Sequence, residues 1–228
     1  VARLPAATIN TIMQIGTGEI KFWTFGVILV IIVIVIAGVV IMQQAHRKIP
    51  VQYPKKVVGR KIVGGSSTHI PLRINTAGVI PVIFASSLIM FPTTVLKFIG
   101  TGGEGAGWVN TIVDSLTPGA MAYNIIYVLL IIFFTYFYTA IIFNPTDLAD
   151  NMRKYGGNIP GIRPGKNTAN FIDRTLTRVT FAGAIFLATI SVLPMFLVQS
   201  FGVPFYFGGT ALLIVVGVGL DTVQQIES

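Results

Sequence analysis

The sequence contains no cysteine, which excludes both a disulfide framework and a thiolate metal site. Charge is scarce. Lys, Arg, Asp and Glu make up 11% of the residues, against roughly a quarter in soluble domains. With 53% of the residues hydrophobic, an ordinary soluble domain is excluded and a polytopic membrane protein is indicated. Acid is the scarcer sign, eight residues against sixteen basic ones, for a net charge of +8. In a membrane protein that excess is chiefly a topology signal. Histidine occurs only at His46 and His69, without metal-ligand spacing, and no Ser-His-Asp, Walker or zinc-protease pattern is present. No Asp, Glu, Lys or Arg stands near the middle of an apolar run, which argues against ion-coupled carriers and proton relays. These absences point away from an enzyme, a cofactor and a metal. No basic n-region or cleavage site follows Val1, so no signal peptide is visible.

What is present is a series of apolar runs near the length of about 20 residues that crosses a bilayer. The reading is an all-α polytopic membrane protein with five transmembrane helices, at 22–42, 76–98, 120–143, 177–199 and 203–221. In lipid only helices or closed barrels satisfy the backbone. Residues 1–21 form a mixed external segment, 43–75 and 144–176 are loops, 99–119 is a glycine-rich external loop, and 222–228 is a tail. The first span is Ile- and Val-rich, with Trp23 as an interfacial anchor. The second holds Pro81, Pro92, Gly78 and Ser86–Ser87. Pro81 removes a backbone donor and should weaken the helix where it sits, so this helix should lie against protein or an aqueous cavity. The third carries Tyr123, Asn124, Tyr127, Thr135, Tyr136, Tyr138 and Thr139, which suit packing or hydrogen bonding to neighbouring helices. Pro194 interrupts the fourth. Glycines 208, 209, 217 and 219 allow close approach in the fifth.

The loops set the topology. Residues 43–75 hold seven Lys and Arg and no Asp or Glu, and 144–174 hold five against three. The positive-inside rule places both in the cytoplasm, residue 1 outside and residue 228 inside. Within the first loop, VQYPKKVVGRKIVGG has the pattern of a short hairpin turning at Gly59. Its charge serves topology by itself, and equally suits docking of an acidic partner. In the second, Asn144–Pro145 reads as a helix stop and Thr146–Lys154 as a short amphipathic helix. Arg163, between Pro160 and Pro164, sits in a stretch stiffened by fixed proline torsions. Asn75, at the start of its span, is a candidate N-cap.

Three stretches, STHIPLRINTAGVIPVIFASSLIMFP, FNPTDLADNMRKYGGNIPGIRPG and VPFYFGGTALLIVV, together resemble the C-terminal half of the SecY family, the channel subunits of bacterial Sec protein translocons. The resemblance runs in order over essentially the whole chain. It implies the last five helices of a ten-helix fold whose two halves close around a pore, part of a protein-conducting channel of the bacterial cytoplasmic membrane. The plug, half of the pore ring and one gate wall would belong to an N-terminal half. It also implies site residues: Ile83 and Ile214 in the pore ring, and Asn75, Pro81, Ser87 and Phe91 at the lateral gate, where signal sequences intercalate. Arg60, Lys61 and Arg163 would dock the SecA ATPase or the ribosome. The implied partners are SecE, SecG, SecA, the ribosome, signal peptides and translocating chains, the N-terminal half and the lipid bilayer. The alternatives in other classes are a small-molecule secondary transporter, whose sites also use broken helices, and a pore-less membrane scaffold.

Overall fold

The computed structural model describes residues 22–58, 61–64, 67–100, 107–201, 214–219, 222 and 226. The external segment at 1–21 and most of the expected span at 203–221 lie outside them.

The chain is mostly helical, but not all-α. Helix α1 (Phe22–Gln44) is followed by strands β1 (His46–Gln52), β2 (Lys55–Val58), β3 (Lys61–Gly64) and β4 (Ser67–Arg73). They form two nested antiparallel ribbons. β1 pairs with β4 from His46↔Arg73 to Gln52↔Ser67, and β2 pairs with β3 from Lys55↔Gly64 to Val58↔Lys61. The period is that of a strand. Along β1, Ile49 and Val51 are buried while their neighbours are exposed, as a half-buried strand requires. Pro50 and Pro71 are accommodated because each ribbon has only two strands, so apart from a bridge at Gln52 the outer edges of β1 and β4 are open.

A run of turns at 74–79 leads into α2 (Ile80–Gly100). Pro81 therefore stands in the first helical turn, not within the helix. The missing N–H costs nothing there and the fixed φ suits the helix. This corrects the expectation that Pro81 weakens the helix. The interior proline is Pro92, and beside it Thr93 and Thr94 donate hydroxyl hydrogen bonds to the Met90 carbonyl, each at 2.8 Å. The glycine-rich stretch expected as loop contains a nine-residue helix, α3 (Gly107–Ser115).

Helix α4 (Met121–Ile142) ends before Asn144, which caps α5 (Pro145–Lys154): its Oδ1 accepts from the Thr146 N–H at 3.1 Å, with Pro145 at the helix start. Helix α6 (Lys166–Phe201) is 36 residues long. It begins eleven residues before the expected span, because Ala169, Ile172 and Leu176 recur at helical spacing and are buried. Its helical backbone continues past Pro194. Among the described residues, two helical stretches are long and apolar enough to cross a membrane, within Met121–Lys154 and Lys166–Leu193, and shorter apolar ones lie at Val33–Gln44 and Ile80–Leu96.

Two cores result. The larger joins α1, α2, α4 and α6 around Val39, Val82, Ala85, Tyr127, Ile131 and Leu187. The smaller joins the ribbon to α5, the 155–165 loop and the start of α6 through Ile49, Val51, Leu72, Met152, Ile159 and Ile172.

The faces of α4 show what surrounds the larger core. Its buried stripe is Tyr123, Tyr127, Ile131, Thr135 and Thr139, while Ile125, Leu129, Phe133, Phe137 and Ile141 are exposed. The Thr135 and Thr139 hydroxyls donate to the carbonyls four residues back, at 2.6 and 2.7 Å, so their polarity is absorbed within the helix. A helix in water turns its apolar stripe inward. This one turns apolar residues outward, which is the arrangement lipid favours.

Candidate functional site

Helix α2 is divided lengthwise. Val82, Ala85 and Ile89 are buried, with α4 and α6 sharing their core. Ile83, Phe84, Ser87, Leu88 and Phe91 are exposed, Phe91 by 70% of its surface. Spacings of three and four residues put the two sets on opposite faces. The polar groups on the bare face are quietened locally. Ser86 and Ser87 both donate to the Ile83 carbonyl, each at 2.8 Å. Phe84 continues into an aromatic series on α4, with its ring centroid 5.9 Å from that of Phe134 and 5.5 Å from that of Tyr138.

At the start of α2 lies an opening of about 290 Å³, lined by Gln43, Arg73, Asn75, Gly78, Ile142 and Gly217 among others. Asn75 is five residues before Ile80, so it does not cap α2. Instead its Oδ1 is buried without a hydrogen-bond partner. A buried unpaired acceptor costs about 1–3 kcal/mol, which makes this carbonyl ready to take a donor. Gly78, with φ of +64°, makes the turn that carries the chain from Asn75 into the helix, a conformation glycine adopts at no steric cost.

Among the implied pore-ring positions, Ile83 is 38% exposed and Ile214 is half-buried in a helical stretch at 214–219. Each is one turn from a residue lining the opening, Ile80 and Val218 respectively. Pro81 is fully buried at the head of α2.

The basic ribbon and the 155–165 loop form one body. Gln52 and Asn158 exchange backbone hydrogen bonds, Gln52 N to Asn158 O at 2.9 Å and Asn158 N to Gln52 O at 3.0 Å. Gly157 permits the approach, since a Cβ there would lie 2.9 Å from the Tyr53 ring. Arg163 is exposed on this body. Its carbonyl accepts from the buried Thr168 hydroxyl at 3.1 Å, and Gly161 and Gly165 take positive φ of 81° and 100° on either side. The backbone at Arg163 is thus held by bonds and glycine turns as well as by prolines. Lys61 opens β3, but its side chain lies outside the described residues, as does Arg60. Sequence reasoning missed Gln43, Arg73 and the Gln52–Asn158 pairing. The mixed polar ends of the first span and first loop were a usable signal for Gln43 and Arg73. A pairing 106 positions apart left no local one.

A SecY family model matches residues 1–223. The chain is 46% identical over 228 residues to protein translocase subunit SecY of Aquifex aeolicus, covering 100% of this chain and 52% of that relative. It is 45% identical to the subunit of the same name from Escherichia coli K12, covering 51% of it. To that of Halalkalibacterium halodurans it is 53% identical over 216 residues, which is 92% of this chain and 50% of the relative. The chain therefore spans about half the length of the curated relatives it matches. Among solved structures, one described as showing that the plug domain of the SecY protein stabilises the closed state of the translocation channel aligns with TM-score 0.57 and 18% identity, over 86% of this chain and 48% of that one. Another, described as a protein conducting channel, aligns with TM-score 0.50 and 18% identity, over 85% of this chain and 46% of that one. At that identity the two show a shared fold.

Proposed function

Because the chain belongs to the SecY family, we propose that it forms part of a protein-conducting channel that moves secretory proteins across the cytoplasmic membrane and releases membrane proteins into it. The carrying observation is the bare apolar face of α2 directly below an opening with an unpaired Asn75 carbonyl. A hydrophobic signal helix with a polar flank suits such a surface: its side chains cover Phe84, Leu88 and Phe91, and a donor from its flank meets Asn75. In this reading α2 and α4 form one wall of a lateral gate that includes Asn75, Pro81, Ser87 and Phe91. Ile83 and Ile214 belong to a constriction that excludes water and ions by dewetting. The chain supplies five spans, with the basic ribbon and the 155–165 loop on the cytoplasmic side, residue 1 outside and residue 228 inside. It is not an enzyme; the driving work belongs to SecA or the ribosome, docked through Arg60, Lys61 and Arg163. SecE, SecG and an N-terminal half complete the assembly.

The test is electrical. In the assembled channel reconstituted in a planar bilayer, Ile83→Asn should raise the resting ion conductance, because a polar side chain wets the constriction. Resting conductance equal to wild type would remove Ile83 from the ring. No observation favours the small-molecule transporter or the pore-less scaffold.

A further inference from the structure

Helices α4 and α6 pack side by side in the larger core, and their polar groups are settled differently at the two ends. Toward the charged loops, the Tyr136 hydroxyl of α4 donates to the Thr177 carbonyl of α6 at 3.2 Å. A side chain of one helix is thereby tied to the backbone of the other. Other hydroxyls of the pair bond inside their own helix: Thr135, Thr139, Thr175, Thr177 and Thr189 each donate to the carbonyl four residues back.

Ser191 breaks that habit. It is buried on α6 and faces the Tyr127 hydroxyl of α4, yet its Oγ has no hydrogen-bond partner. One turn from Tyr127, the Oδ1 of Asn124 is also buried and unpaired. The two orphans are complementary, since a hydroxyl can donate and an amide oxygen can accept. They also lie at similar depth. Asn124 is twelve residues before Tyr136, and Ser191 fourteen after Thr177. In this antiparallel pair they therefore stand about 18 and 21 Å along the helices from the Tyr136 bond, at 1.5 Å per residue. Buried polar groups are costly alone. Two that stay apart in one arrangement and satisfy each other in another mark an interface with two states.

We infer that α4 has a second seat on α6, in which its far half shifts until the Ser191 hydroxyl donates to the Asn124 Oδ1, while the Tyr136–Thr177 bond holds the near half in place. A tilt of about 10° around Tyr136 carries Asn124 roughly 3 Å over its 18 Å arm. Asn124, Ser191 and Tyr136 are then positioning residues. They set where α4 stands and touch no translocating chain. The inference rests on the reading of α4 as part of one wall of the lateral gate, and gives that wall a second position.

The chain has no cysteine of its own, so spin labels can be placed by substitution in the assembled channel, its other chains also being cysteine-free, in lipid vesicles. The far pair is Met121→Cys with Phe196→Cys and the near pair Ile141→Cys with Phe171→Cys, all at exposed positions. Pulsed electron-resonance distances should show two populations about 3 Å apart for the far pair, and one for the near pair. Asn124→Val and Ser191→Ala should each deplete the paired seat roughly fivefold. Neither should lower the thermal unfolding midpoint, because each removes an orphan from the seat described above. Ser191→Thr keeps the hydroxyl and should keep both populations. Tyr136→Phe should split the near pair as well. A single far-pair distance in the wild type, or populations unmoved by Asn124→Val and Ser191→Ala, overturns the second seat. A lowered midpoint with unmoved populations also overturns it, being the mark of a purely structural role. Should Asn124→Val fail to assemble, Ser191→Ala, smaller by one oxygen atom, decides alone. If the populations move as expected while the signal hydrophobicity needed for transport stays at the wild-type value, the second seat stands and the place of α4 in the gate wall fails.

Discussion

Position 183 has no room for a methyl group. A Cβ at Gly183 would lie 2.7 Å from the Ile74 carbonyl oxygen, and that oxygen belongs to backbone, which cannot swing away. Gly183→Ala should destabilise the protein by about 1–3 kcal/mol, read as a lowered thermal unfolding midpoint in detergent. Gly26 is the control: it has nothing within 4 Å of its built Cβ, so Gly26→Ala should be neutral or stabilising by up to ~1 kcal/mol. Equal effects at the two sites would show that the approach of α6 to Ile74 is not a constraint. Asn75 makes the opposite case. Its buried Oδ1 has no partner, so Asn75→Leu should not lower stability, yet it should change the signal-sequence hydrophobicity needed for transport. Translocation of a graded series of signals measures this, and an unchanged threshold would separate Asn75 from the gate. The sequence shows a polar residue at the edge of an apolar run. It does not show that the helix waits until Ile80, because tertiary packing fixes where the turns give way. Pro81 was the available clue, since proline is favoured at the first position of a helix.

The most consequential element is the ribbon, and it was only half legible. The inner hairpin has local signals, with Val57–Val58 and Ile62–Val63 flanking Gly59. The outer pairing of β1 with β4 joins residues 27 apart at its far end, His46 and Arg73, and contains Pro50 and Pro71, which speak against strands. Its evidence is the small core: Val51 is wholly buried, and the residues that bury it come partly from beyond position 150. The Gln52–Asn158 exchange should therefore couple the two loops mechanically. Gln52→Pro removes the N–H that bonds to the Asn158 carbonyl. It should raise amide hydrogen exchange in both 46–52 and 158–163 while leaving α4 unchanged. Faster exchange confined to β1 would show two independent loops.

At the scale of the whole molecule, membrane class was legible from composition alone, since 11% charge cannot solvate an ordinary surface of this size. The direction in which α4 faces was less so. Its tyrosines and threonines announced contacts with neighbouring helices, but only the packed bundle reveals that five of its residues at four-residue spacing form the buried stripe. Arg163 also belongs to this scale, because its setting depends on the joined loops. Arg163→Glu should block SecA-driven translocation into vesicles while assembly persists, and Arg163→Lys should be partly impaired because it keeps charge and loses the planar fork. Equal translocation rates for matched amounts of wild type and the Glu variant would leave Arg163 a solvated loop residue.

The close contact at Gly183 has a mechanical meaning. Helix α6 is one rod running from the joined loops into the apolar bundle, and Ile74 presses on it part-way along, as a fulcrum presses on a lever. At 1.5 Å per residue, the arm from Lys166 to Gly183 is about 26 Å and the arm from Gly183 to Phe201 about 27 Å. A push delivered at the loop end should therefore move the far end in the opposite direction, through about the same distance. Spin-label distances from each end of α6 to α4, taken with and without a docked partner, should change with opposite signs. Changes of the same sign would mean that the rod slides and does not pivot.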